Sequence, residues 1–242
     1  VATFEEGAIL PTTEKFVISL EETNRTSLGE KNEETNTYPV YWSEGDQISI
    51  NGKASSILTD VADECTNAVF EFNGDLGGYP LKVSYPATEK SGTVLFAAEQ
   101  NYVENTFESG VATMYSESSD KNISMRLLST IVQIPIAIAE DGEPVSLKCV
   151  YISDYATNKP LAGLYEVSSE VVDSEKVYTI TPDATASYTI TYNCNGLALS
   201  TTPTNLHIAV PAGVYERLQV SLVATNNQTM QFNISAPSTN PL

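Results

Sequence analysis

The chain has 242 residues, with 12 Lys and Arg against 31 Asp and Glu, a formal net charge of −19 and one His. That length holds one large or two small domains. The charge weighs against a nucleic-acid surface, which needs clustered Lys and Arg, and against electrostatic docking to an anionic membrane. A lone His removes most His-based zinc sites and most Ser-His-Asp triads.

The chain is 41% hydrophobic and holds 13 Tyr, and Ser plus Thr make up roughly a fifth of it. This composition fits an exported, strand-rich protein and not a disordered acidic tail. No apolar run approaches the roughly 20 residues of a membrane span. The longest, residues 127–139, is broken by Ser129, Gln133 and Pro135. A signal peptide or a lipid-attachment Cys would lie outside these residues.

Apolar and polar residues alternate with period two along much of the chain, the pattern of half-buried strands. In order, the predicted strands are Phe16-Ile18-Leu20, Ile48-Ile50 after the turn Ser43-Glu44-Gly45-Asp46, Phe70-Phe72, Leu81-Val83-Tyr85, and residues 94–98. Ile123-Met125-Leu127 opens a long stretch through Ile131, Ile134, Ile136 and Ile138, followed by residues 145–153. Residues 164–168, 176–181, 187–192, 206–210, 218–224 and 230–234 complete the set. Asn51-Gly52, Asn73-Gly74, Asp141-Gly142 and Asn195-Gly196 read as hairpin turns, because Asn, Asp and Gly tolerate positive φ. Residues 55–65 are the one place for a helical turn, with Ile57, Leu58 and Val61 on one side. Many short strands with regular turn signals predict an all-β fold of β-sandwich type. One sandwich takes about 100 residues, so two domains are expected, 1–120 and 121–242. The polar cluster at residues 117–122 marks the boundary.

Cys65, Cys149 and Cys194 lie far apart, with no C-x-x-C or metal spacing. One disulfide among them is open, and Cys149 reads as a buried thiol. No catalytic residue, metal ligand or cofactor site is predicted. Asp and Glu fall in turns and on polar faces, as in Glu140-Asp141. They read as solvated surface more readily than as a glycosidase pair, which needs two carboxyls in one cleft. Asp60, Asp63 and Glu64 are the nearest approach to a calcium cluster. His207 sits on an alternating strand, and a nucleophilic role would need a partner Ser for which no G-x-S-x-G exists. Trp42, directly before a turn, reads as core packing or as a ligand-stacking aromatic. The stacking alternative describes a carbohydrate-binding cell-surface lipoprotein.

Arg25-Thr26-Ser27-Leu28, followed by Val40-Tyr41-Trp42-Ser43-Glu44-Gly45-Asp46-Gln47-Ile48-Ser49-Ile50, resembles the R-T/A…W-x-x-G-D-x-I-x-V signature of fimbrillin-like (minor-fimbria-like) proteins, pilus subunits of Gram-negative anaerobes. Tyr85-Pro86-Ala87, Met114-Tyr115, Leu161-Ala162-Gly163 and Ala209-Val210-Pro211-Ala212-Gly213-Val214-Tyr215 resemble further pieces of the pattern, in the family's order. Thr113 stands where the family has Pro.

The resemblance implies two transthyretin-like β-sandwich domains in tandem. It implies a structural or accessory subunit (stalk, anchor or tip) of a cell-surface fimbria, exported through an outer-membrane lipoprotein route and supporting adhesion. A trypsin-like protease would cut after Arg25 and release the first strand, about residues 15–22, with Phe16, Ile18 and Leu20. The vacated slot would take a strand from another pilus subunit by donor-strand exchange. The implied partners are other subunits, the processing protease, and a host protein or glycan. Nucleic acid is not among them, and membrane contact would run only through a lipid anchor. Family members carry one or two further strands at the C-terminus, the natural donor. Here residues 235–242 follow the last predicted strand directly. That points to a donor segment beyond these residues, or to a terminating subunit that accepts without donating. On the alternative reading, Arg25 is an ordinary loop residue beside a permanent strand.

Overall fold

The computed structural model describes residues 12–20 and 41–235. Among these the protein is all-β, with no helix. The strands are β1 (Thr13–Leu20), β2 (Ser49–Ile50), β3 (Lys53–Ala54), β4 (Asn67–Asn73), β5 (Leu81–Tyr85), β6 (Thr93–Phe96), β7 (Glu99–Asn101) and β8 (Met114–Ser118). They continue with β9 (Ile123–Leu127), β10 (Ser129–Ile136), β11 (Ser146–Asp154), β12 (Gly163–Val172) and β13 (Glu175–Pro182). The last four are β14 (Thr189–Ala198), β15 (Thr204–Pro211), β16 (Leu218–Ala224) and β17 (Thr229–Ile234).

A seven-stranded sheet runs β3-β2-β5-β8-β9-β1-β4. It rolls toward its own first edge, where the Ser56 N–H donates to the Glu71 carbonyl at 2.8 Å. Its inward positions form one core that includes Phe16, Ile18, Ile48, Phe70, Phe72, Val83, Met114 and Met125. The second core lies between a five-stranded sheet, β17-β16-β11-β14-β7, and the two-stranded sheet β10-β15. Val132, Ile134, Leu206 and Ile208 on one layer meet Val150, Ile152, Tyr192 and Val220 on the other. A fourth sheet, β13-β12-β6, lays Tyr178 against Tyr115 on the outer side of β8, with Tyr165 against Phe96 in the same cluster. Tyr178 meets Tyr115 edge-on at 5.1 Å.

Strand pairing crosses the expected boundary near residue 120. β9 lies beyond it yet pairs with β8 and β1. β6 and β7 lie before it yet pair with β12 and β14. Gln100 on β7 strengthens this crossing. Its side-chain amide donates to the Ala209 carbonyl at 2.8 Å and accepts from the Ala209 N–H at 2.9 Å, which extends strand-type pairing to β15.

Three local expectations are corrected. Residues 55–65 form no helical turn: strand-type bonds hold the first part, where the Leu58 N–H donates to the Asp46 carbonyl and the Gly45 N–H to the Leu58 carbonyl, and Asp60 and Glu64 then take positive φ. Asn195-Gly196 is not a hairpin turn but lies within β14, where the register jumps from Cys149↔Asn193 to Leu147↔Leu197. Asn195 and Gly196, both at positive φ, accommodate the extra residues of this bulge. Asp141-Gly142 links two different sheets, since β10 pairs with β15 and β11 with β14 and β16. Asn51-Gly52 does close a hairpin, β2 to β3, with φ of 50° and 80°.

Candidate functional site

The sequence TEKFVISL of β1 places Glu14, Phe16, Ile18 and Leu20 on one face and Lys15 and Val17 on the other. Phe16 and Ile18 are fully buried and Leu20 half-buried, whereas Val17 is 57% exposed. β1 occupies an interior position of the seven-stranded sheet. It runs antiparallel to β4 over seven pairs, Thr13↔Asn73 to Ser19↔Asn67. It runs parallel to β9 over three, Ile18↔Ile123 to Leu20↔Met125. The Trp42 indole N–H donates to the Ile18 carbonyl at 3.3 Å, the Ser19 hydroxyl to the Ile123 carbonyl at 3.0 Å, and the Leu20 N–H to the Thr66 carbonyl at 3.1 Å. Phe16 meets Phe72 edge-on, ring centroids 5.6 Å apart.

Taking β1 away would open two facing strand edges, those of β4 and β9, and an apolar slot lined by Phe70, Phe72, Ile123 and Met125. Three seated side chains at about 1.5–3 kcal/mol each make the slot worth roughly 4.5–9 kcal/mol gross to a strand that fills it. Ordering that strand offsets much of this. Arg25, expected to carry the cut that frees β1, lies outside the described residues.

The signature around Trp42 builds a buried knot beside this slot. Trp42 is 2% exposed and wedged between Phe70 and Tyr85, with centroids at 5.0 and 5.4 Å. Its ring is therefore core, and the ligand-stacking expectation is corrected: neither face is open to a sugar. Gly45, at φ +90°, makes the turn that aims Asp46 inward. The Asp46 carboxylate accepts from the Ser43 N–H at 2.8 Å, the Tyr85 hydroxyl at 2.5 Å and the Ser109 hydroxyl at 2.8 Å. The Tyr85 oxygen in turn accepts from the Gly110 N–H at 3.0 Å. Burial raises the Asp46 pKa, partly offset by these donors. Burial and the facing carboxylate raise that of Tyr85 well above its ordinary value. This knot ties the turn before β2 to β5 and to the loop before β8. Sequence reading missed it because Asp46, Tyr85 and Ser109 are far apart in the chain. The one local signal was an Asp directly after a turn glycine.

His207 on β15 is 6% exposed. Burial lowers its pKa, partly offset by a hydrogen bond with the Thr106 backbone, and Nδ1 has no partner. Asp60, Asp63 and Glu64 are exposed, as are Glu140 and Asp141. No group of three or more His, Cys, Asp or Glu able to hold a metal ion stands among the described residues. All three cysteines are free thiols, Cys149 and Cys194 buried. An open apolar groove of about 700 Å³ flanks the end of β10, lined by Pro135, Ile136, Leu222, Met230 and Phe232 among others. Among the described residues β10 has a strand partner, β15, on one edge only.

No protein-family model matches the chain, and no curated protein does. Among solved structures, it is similar to the tip fimbrial protein Mfa3 from Porphyromonas gingivalis with C-terminal truncation, at 7% identity and a TM-score of 0.34. The match covers 94% of this chain and 83% of that one.

Proposed function

We propose that the protein is a non-catalytic subunit of a cell-surface pilus (stalk, anchor or tip) in which β1 is a removable strand. Proteolysis after Arg25 frees β1, and a strand from another subunit takes its seat between β4 and β9. The observation that carries this reading is the place of β1. The first strand among the described residues fills an interior position of a sheet, seats its apolar residues in the core, and precedes the basic residue expected to be cut. An added strand in such a gap pairs both exposed edges and seats alternate side chains. Contacts between unlike surfaces of successive subunits do not close, so they grow a filament. In this reading the chain carries two sandwich units, 1–120 and 121–242, tied together by β6, β7 and β9. Its partners are neighbouring subunits, a trypsin-like protease, and a host protein or glycan. It reaches the surface by a lipoprotein route.

Limited trypsin digestion of the folded chain tests the processing step. The expected result is one early cut after Arg25 that leaves the rest intact and is lost in Arg25→Ala. Cuts at other basic residues with Arg25 untouched would overturn it.

A further inference from the structure

The seat of β1 is lined by groups that distinguish one strand frame from another. Lys121, in the turn between β8 and β9, engages two residues of β1 at once. Its Nζ lies 2.9 Å from the Glu14 carboxylate and 5.3 Å from the centroid of the Phe16 ring. Glu14 and Phe16 are two apart, so they share the inward face, with the carboxylate at the rim and the ring in the core. On the opposite flank, the Glu71 carboxylate of β4 holds Lys15 at 2.6 Å, and the Thr13 hydroxyl donates to the Asn73 side-chain oxygen at 2.9 Å. These contacts exist in one frame only. A slip of one residue turns Lys15 and Val17 into the core. A slip of two puts either Glu14 or Ile18 in the place of Phe16, opposite Phe70, and takes the carboxylate or the ring away from Lys121.

We infer that this seat selects its strand by register: it takes a segment with a carboxylate two residues before an aromatic and an aliphatic two residues after it, and Lys121 is the residue that reads the frame. The inference rests on the proposed exchange of β1. Burial of the aromatic and the aliphatic supplies most of the affinity. The exposed ion pairs are individually weak, but a misplaced frame buries a charge or orphans one, and that sets the selectivity. The raised pKa of Lys121, caused first by its hydrogen bond to Glu14, agrees with a pair that is formed.

The test uses the full chain cut after Arg25 and fluorescent peptides with the sequence of residues 12–21, followed by anisotropy. The native peptide should be taken up, and Phe16→Ala in the peptide should weaken uptake about 100-fold or more. Glu14→Lys in the peptide should weaken it roughly 5-fold on the native chain and recover on a Lys121→Glu chain. Lys121→Gln serves as a second variant, expected to bind both peptides alike. Near-UV circular dichroism checks that the variants fold. If the native and Glu14→Lys peptides bind equally to the native chain and the Lys121→Glu chain shows no reversal, exchange stands and the register reading is overturned. If the cut chain takes up no native peptide, exchange itself fails and the register reading falls with it.

Discussion

Asp46 anchors the first single-residue prediction. It collects three donors in a site 3% exposed. Asp46→Ala leaves the Tyr85 and Ser109 hydroxyls and the Ser43 N–H without that acceptor, at a cost of about 2–4 kcal/mol, read as a lower urea midpoint. Trp42→Ala empties the wedge between Phe70 and Tyr85 and should cost about 3–5 kcal/mol. His207 gives a pH signature. Its folded pKa lies below the ordinary value of about 6.5. Below that pH the unfolded chain binds a proton that the folded one refuses, so stability is full above about 6.5 and falls as the pH drops toward the folded value. His207→Gln should flatten that slope in urea titrations between neutral and mildly acidic pH. Asp46 has the opposite sign: its raised pKa gives stability that is full at low pH and falls as the pH rises through the folded value. Asp46→Ala should remove this second slope. The strand residues of the knot were legible as apolar alternation, but its chemistry was not. A hydrogen-bond cluster of residues 46, 85 and 109 leaves no periodic trace.

At the scale of elements, period-two alternation located most of the strands, because one face of each is buried and the other solvated. β1 is the clear case, where Phe16-Ile18-Leu20 predicted the buried face. The expectation failed where alternation is too short to see, as in β3 and β7, or where both faces are covered, as in β8. There Met114 enters one core and Tyr115 another. Turn dipeptides were less faithful guides, because a positive-φ pair serves a bulge as well as a hairpin. The tight turn of the longest hairpin, β12 to β13, is Asp173-Ser174, at φ of 50° and 69°. Ser174→Gly should relieve left-handed strain and add about 0.5–1 kcal/mol, seen as a raised thermal midpoint. The same logic runs the other way at Gly163, where φ is +100° and a Cβ would stand 2.9 Å from the Ala186 Cα. Gly163→Ala should destabilise by about 1–3 kcal/mol.

At the scale of the whole molecule, the cores and the sheets divide the chain differently. The two large cores draw on residues before about 126 and after about 131. The sheets interleave across that division through β6, β7 and β9. Length and strand spacing led to the expectation of two domains. The interleaving was not legible, because which strands pair is set by long-range register and not by local pattern. The net charge of −19 belongs with this arrangement. Among the described residues carboxylates sit mainly on exposed faces and turns, where like charge opposes non-specific association.

The central claim is that β1 is a separable piece of an otherwise self-sufficient sheet. Hydrogen–deuterium exchange before and after cutting at Arg25 tests it most directly. After the cut, the amides of β4 and β9 that face β1 should lose protection, while those of β11, β14 and β16 keep theirs. Unchanged protection at β4 and β9, or loss of protection throughout the chain, would contradict it.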